Sequence, residues 1–336
     1  MRDWVSTLPR ALLACACLTA MPAAAQAGDL HFQPGLFADP QFDPKVTVGT
    51  SVSHVNGIAH EFVYSNGGNY KVSELDWQIK DTLMLNAEVG IRFSPWMSVK
   101  IEGGTKLTGS SDLVDSDWIY HGPDVRDHWS HHEDTTVKSA NRVDVSGNLS
   151  LYRHPNFTLD AIGGFRWNEW EFQANGGTYI YSTDKNHLND QVGEFKAGEP
   201  GISYKQNLLT PYLGLGLNAN FGRFGLDASF TGSPFSFAHD FDRHFARGLL
   251  FEEETHNQTY LDYKFGGTYQ FSDSVTLKAN WERETYSLVK GQTSISTIGP
   301  GLNGIGGVFL GSSGGPAGGL DNETQRYSVG LTYNLN

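Results

Sequence analysis

The sequence predicts an all-β fold: a ten-stranded antiparallel transmembrane β-barrel of the outer-membrane type, with long extracellular loops. Three observations predict it. Segments that alternate apolar with polar residues recur from about Val46 to the last residues of the chain. The stretches between them fall into two classes, short and long, which alternate along the chain. The first residues read as an export signal, which sends the mature chain beyond the inner membrane.

The signal comes first. Arg2 and Arg10 precede an apolar stretch, Ala11 to Met21, and a small-residue region that ends at Ala25-Gln26-Ala27. That tripeptide fits the A-x-A cleavage pattern, so residues 1–27 are expected to be removed and 28–336 to form a single barrel domain. The apolar run is too short to cross a bilayer as a helix. Leu12-Leu13-Ala14-Cys15 offers a lipoprotein reading, but very little apolar sequence precedes Cys15. Cys15 and Cys17 are the two cysteines of the chain. The mature protein therefore has no thiol and no disulfide, and packing and hydrogen bonds must hold it.

The strands follow. Met97-Ser-Val-Lys-Ile-Glu-Gly103, Val143-Asp-Val-Ser-Gly-Asn-Leu-Ser-Leu151 and Tyr327-Ser-Val-Gly-Leu-Thr-Tyr-Asn-Leu335 each place apolar residues two apart, not three and four apart as a helix would. One apolar face per strand is what lipid contact demands, and it leaves the overall composition as polar as that of a soluble protein. Short turns are expected around Ser94-Pro95, His154-Pro155, Gly222 and Ser272-Asp273. Long polar stretches cover 106–141, 178–201, 236–256 and 288–323, with a shorter tip near Asn66-Gly67-Gly68. Four short and five long connections imply ten strands, at about 46–64, 72–92, 97–109, 140–153, 157–177, 202–221, 224–237, 257–271, 275–287 and 325–335. Short turns face the periplasm in such barrels and long loops face outward, so both termini belong in the periplasm. The rival fold, a soluble β-sandwich, has no need of a strand at the very C-terminus. The chain ends Tyr333-Asn-Leu-Asn336 rather than on the aromatic residue usual for these barrels.

Lys and Arg number 24 against 37 Asp and Glu, a formal net charge of −13. That balance argues against nucleic acid as a partner and fits a surface that attracts cationic ligands.

Topology gathers the candidate chemistry at one mouth. Asp115 and Asp117 follow the third strand, Asp242 and His244 follow the seventh, and the first strand rises to Glu61. Members of each pair are two apart, so in extended backbone both side chains point to one face. An Asp–His pair opposite an Asp pair suits hydrolysis. Asp242 orients His244, His244 takes a proton from water, and Asp115 and Asp117 hold that water. By residue types alone the alternative is the solvated rim of a non-enzymatic adhesin or channel. Ser130 raises a serine-hydrolase reading, which needs a base in reach. The loop histidines (His121, His128, His131, His132, His239, His244) raise a zinc reading, but they lack an H-E-x-x-H spacing or its like. No metal or other cofactor is expected.

Several of these stretches together resemble the omptin family of outer-membrane aspartyl-type proteases. Val114-Asp-Ser-Asp-Trp118 is similar to the family's catalytic Asp pair, and Asp240-Phe-Asp-Arg-His244 to the segment carrying its Asp–His dyad. Lys71-Val-Ser-Glu-Leu-Asp-Trp77, Gly176-Gly-Thr-Tyr-Ile-Tyr-Ser182 and Gly201-Ile-Ser-Tyr-Lys-Gln206 also match family stretches, in order and spacing. The resemblance implies a surface endopeptidase in which Asp242 and His244, with Asp115 and Asp117, activate a water that attacks the peptide carbonyl directly. It implies that Glu61 and Asp240 form the acidic floor of the pocket for Arg or Lys before the scissile bond. His132 matches a family histidine near the site, and His128 stands where the family lines the pocket beyond the cut. Omptins also carry a basic patch that grips the phosphates of lipopolysaccharide, dominated by two arginines. Glu169 and Asn207 occupy the matching positions. A carboxylate and a neutral amide cannot replace guanidinium groups there, so the barrel is expected either not to depend on lipopolysaccharide or to bind a less phosphorylated lipid. Arg166 cannot substitute, being on the other face of its strand. The glycine-rich stretches Gly299–Gly307 and Gly311–Gly319 are expected to form a mobile last loop.

Overall fold

The computed structural model describes residues 42–65, 68–298 and 309–335. The expected signal segment, the tip at Asn66-Gly67 and the first glycine-rich stretch lie outside them. The described chain is a barrel of ten strands: β1 (Lys45–Tyr64), β2 (Lys71–Ser94), β3 (Met97–Asp117), β4 (His128–His154), β5 (Phe157–Tyr181), β6 (Gln191–Phe221), β7 (Phe224–His244), β8 (Leu249–Gln270), β9 (Val275–Thr297) and β10 (Phe309–Asn334). Each pairs with its sequence neighbours and β1 closes on β10, all antiparallel, so no edge is left unpaired.

The strands are longer than the sequence reading made them. The stretches 106–141, 178–201, 236–256 and 288–323 are mostly strand, not loop. Among the described residues the connections left at the mouth are short, as at 118–127, 182–190 and 245–248. Gly311–Gly319, expected in a mobile loop, pairs with β9 instead. The physical reason is solvent. A strand that leaves the membrane no longer needs an apolar outer face, so its two-residue pattern fades while its hydrogen bonding continues. At ~3.3 Å per residue and ~40° of tilt, 24 residues rise about 60 Å, against an apolar band of ~25 Å. More than half of the barrel stands clear of lipid.

The band itself is visible as outward apolar side chains at one level, among them Val52, Leu85, Ile101, Phe165, Leu213 and Val329. Trp96, Phe157, Phe221, Phe224 and Phe271 stand exposed near the short turns, as an interfacial girdle does. Inside the barrel at the same level runs an ionic network. Arg166 Nε donates to Asp144 at 2.8 Å, its Nη1 to Asp262 at 3.2 Å, and Arg142 Nη2 to Glu282 at 2.5 Å. Arg166 also bonds Glu284. It points inward, as its parity in β5 requires.

Above that network the lumen fills with apolar and aromatic side chains. Trp77 lies parallel to Tyr204 with ring centroids 5.5 Å apart, and Phe172 packs against both. Leu75, Leu113, Val137 and Ile202 complete this layer. It forms a floor beneath the mouth.

Candidate active site

All six site residues expected from the sequence lie above this floor and the apolar band. β3 continues to Asp117, so Asp115 and Asp117 sit on a strand rather than in a loop. Asp115 pairs with Leu75 and Ser130, and Asp117 with Ser73 and His128. Across the barrel, β7 runs on to His244. Asp242 pairs with Tyr204 and Phe251, and His244 with Ile202 and Leu249. β7 then ends in a tight 3-10 turn, Phe245–Arg247, closed by Gly248 at φ 64°, a left-handed geometry that glycine adopts without strain. The alternation keeps Asp115 and Asp117 on one face and Asp240, Asp242 and His244 on another, both turned inward.

His244 Nε2 donates to Asp242 Oδ2 at 2.5 Å. Phe251 packs edge-on against the imidazole at 5.4 Å, which fixes the ring plane. Burial works against the imidazolium, yet the Asp242 carboxylate outweighs it and raises the His244 pKa above the ordinary histidine value. Asp115 faces this dyad closely enough for each to shift the other. Burial first, then the Asp117 charge, lifts the Asp115 carboxyl to about 8. Burial also raises Asp117, against the Ser73 hydroxyl that stabilises its anion. Asp115 Oδ1 and Asp242 Oδ1 are buried with no protein partner. Two acceptor atoms without donors on opposite walls of a cleft are groups prepared for something the protein does not supply.

Beneath the dyad lies a second acid group. Glu61 is 1% exposed and Asp240 0%. Asp240 Oδ2 accepts from the Tyr204 hydroxyl at 3.0 Å and Oδ1 from the Glu253 backbone amide at 3.0 Å. Burial, then the neighbouring Asp242 and Asp240 charges, holds Glu61 well above the usual carboxylate range. Its Oε2 has no partner.

The remaining sequence candidates line the walls. Ser130 Oγ donates to His132 Nε2 at 3.0 Å, and His132 Nδ1 donates to the Gly176 carbonyl. The serine thus has a base in reach. Both residues are sealed from solvent, at 1% and 3% exposure, and Phe195 stacks on the histidine. A nucleophile must meet a carbonyl carbon, and a serine this enclosed does not. His128 bonds Asp127 at 2.8 Å and lies between Tyr120 and Tyr181 beside Asp117. Among the described residues no three His, Cys, Asp or Glu side chains converge as a metal site would need.

On the outer wall just above the apolar band, Glu169 and Asn207 are direct cross-strand partners. Glu169 pairs with Lys205 at 2.5 Å and accepts from Asn141 at 2.9 Å. Arg243, on the same wall, packs over Phe241 near Glu171 and Glu252.

Sequence reasoning missed Glu253. It belongs to Glu252-Glu-Glu254, which reads as a solvated acidic loop. Counting by twos from the inward Tyr260 and Gln258 would turn Glu254 inward. Asn257, at φ 60°, inserts a bulge that reverses the parity and turns Glu253 in. The sequence shows there only an Asn, a residue that tolerates the left-handed region, and nothing in the apolar pattern marks the insertion.

The comparisons agree with this architecture. A sequence model of the omptin family matches residues 43–335. The plasminogen activator of Yersinia pestis is 27% identical over 319 residues, covering 94% of this chain and 96% of that protein. The outer membrane protease OmpP of Escherichia coli is 30% identical over 256 residues, 75% of this chain and 80% of its own. The crystal structure of the outer membrane protease OmpT from Escherichia coli superposes with a TM-score of 0.79 at 25% identity, covering 88% of this chain and 99% of that one.

Proposed function

The chain belongs to the omptin family of outer-membrane proteases, and from that premise we propose that it is an endopeptidase cutting after Arg or Lys with a water activated by Asp242 and His244. The protein is a barrel of the bacterial outer membrane. The observation that carries the mechanism is the 2.5 Å bond between His244 and Asp242, facing half-buried Asp115 across the cleft. With Nε2–H given to Asp242, the free Nδ1 takes a proton from water as the water oxygen attacks the scissile carbonyl carbon. The imidazolium is held by Asp242 and returns the proton to the leaving amine when the C–N bond breaks. Asp115 and Asp117 share a proton. The pair accepts the water's second hydrogen bond and donates to the oxygen on which charge develops. No acyl-enzyme forms.

The mouth faces the extracellular side in this reading, since the four short turns lie at the opposite end. Glu61 and Asp240 select a cationic side chain before the cut, because two desolvated carboxylates favour a guanidinium or ammonium over any neutral group. The outer wall supports independence from lipopolysaccharide: Glu169 takes Lys205 as its counter-ion, and Asn207 carries no charge. The testing experiment is cleavage of short peptides that differ at one position, Arg, Lys, Ala or Phe, by refolded protein. Cleavage after Arg and Lys alone supports the reading, and equal rates on all four overturn the pocket.

A further inference from the structure

We propose that Glu253 is a specificity-determining residue of the pocket for the basic side chain, and that it, with Glu61, offers the free oxygen a substrate cation binds. The inference rests on the acidic-pocket reading above and goes beyond its two carboxylates. Glu253 lies on β8 directly opposite Asp240 on β7, and it is 1% exposed. Thr293 donates to its Oε1 at 3.0 Å, which fixes the carboxylate from the β9 side. Its Oε2 is buried and has no protein partner.

The donors already present separate the three acids. Each oxygen of Asp240 accepts one bond, from the Tyr204 hydroxyl and from the Glu253 amide. Asp240 therefore contributes charge and holds the wall, while Glu61 Oε2 and Glu253 Oε2 remain without donors. No Lys or Arg side chain bonds any of the three among the described residues. Burial, then the Asp240 charge, keeps Glu253 well above the usual carboxylate range. A guanidinium has N–H donors along more than one edge of its plane and can meet both free oxygens at once, whereas an ammonium is a single point. The neighbouring strand is shaped for this acid. A Cβ at Gly318 would overlap the Glu253 carboxylate, so glycine there leaves the space it occupies.

The test compares two peptides identical except for Arg or citrulline, its neutral isostere, before the scissile bond. The ratio of their kcat/KM values is measured on wild type and on Glu253→Gln in the intact refolded barrel. Because it is a ratio within one preparation, it does not depend on the fraction folded. Losing a charge-assisted hydrogen bond predicts a fall in the Arg-to-citrulline ratio of roughly ten- to a hundredfold. A ratio unchanged in Glu253→Gln, or an equal fall for both peptides, overturns the assignment while the pocket reading stands. If wild type itself does not prefer Arg to citrulline, the pocket reading fails and Glu253 falls with it.

Discussion

The barrel holds two buried polar layers, and they treat the same residue types in opposite ways. At membrane level each of Asp144, Asp262, Glu282 and Glu284 has an arginine within 4 Å, from Arg142 or Arg166. At the mouth, Glu61, Asp240, Asp242 and Glu253 are equally enclosed and Asp115 is half-buried, and the cationic partners among the described residues are His244 and, at the rim, Arg247. A buried charge with a partner is structural, and removing the partner costs several kcal/mol. A buried acid without one raises its pKa and waits for a cation or a proton. The lower layer closes the lumen. The upper layer leaves it electrostatically incomplete, which is what the proposed binding and proton-transfer site requires.

The largest expected effect falls on the upper layer. His244→Ala or Asp242→Ala should reduce peptide cleavage by about 10²–10⁴-fold, the usual worth of a general base, with the barrel still folded by its heat-modifiable migration. Asp115→Ala and Asp117→Ala should be severely impaired as well, if the water is held from both walls. Wild-type turnover in any of the four would remove that residue from the mechanism.

The lower layer should respond in the opposite sense. Arg166→Met leaves Asp144, Asp262 and Glu284 without their main partner and should destabilise the barrel by about 3–5 kcal/mol. Turnover per folded molecule should stay within about twofold of wild type, the tolerance of a site not touched. A large loss of kcat in fully folded Arg166→Met protein would show that the two layers are one unit.

Glu61→Gln and Asp240→Asn come next. Each should lower kcat/KM on Arg and Lys peptides by roughly ten- to a hundredfold, Glu61→Gln through the loss of a charge-assisted contact of about 1.5–3 kcal/mol and Asp240→Asn through the loss of a buried negative charge beside it. Rates on Ala and Phe peptides should be unaffected. A uniform fall would make these acids structural.

The pH profile sharpens the same contrast. In the proposed mechanism neutral His244 is the form that accepts a proton from water. Its pKa is raised, chiefly by Asp242 working against burial, so activity should fall as pH drops through a value above that of an ordinary histidine. Asp242→Asn removes the anion, so the acid limb of its residual activity should move to lower pH. An unmoved limb would assign it to a different group.

How much of this was legible in the sequence follows the same division. Strand count and the apolar band were readable because lipid enforces a two-residue period on every strand that crosses it. Asp115, Asp117, Asp242 and His244 were readable because each pair keeps its spacing on one strand, so local parity suffices. The upper halves of the strands were not. Above the membrane the outer face is wet, and the segments 110–117, 128–139 and 238–244 look like polar loops although they pair as strands. Glu253 was hidden by a bulge at Asn257, and Asp81, at φ 46°, interrupts β2 in the same way. Parity cannot be counted through an insertion that leaves no apolar trace.

The smallest expected effect concerns the outer wall, where the question of matched and unmatched charge arises once more. A surface that requires lipid phosphates must present cations in excess, because each phosphate group brings negative charge and several acceptor oxygens. Here Lys205 is committed to Glu169, and Arg243 sits near Glu171 and Glu252. Asn141 and Asn207 flank Glu169 on its two neighbouring strands, so the row across β4, β5 and β6 holds one carboxylate and two neutral amides. A phosphate placed there would meet an acid before a free cation. Protein refolded in detergent is therefore expected to cleave its peptide at nearly the same rate with or without enterobacterial-type lipopolysaccharide. Glu169→Arg with Asn207→Arg, which would leave Lys205 free as well, should create a response to the lipid where there was none. A strict lipopolysaccharide requirement in the wild type would locate the phosphate contacts elsewhere on the barrel, and it would mean that this wall is matched for stability alone.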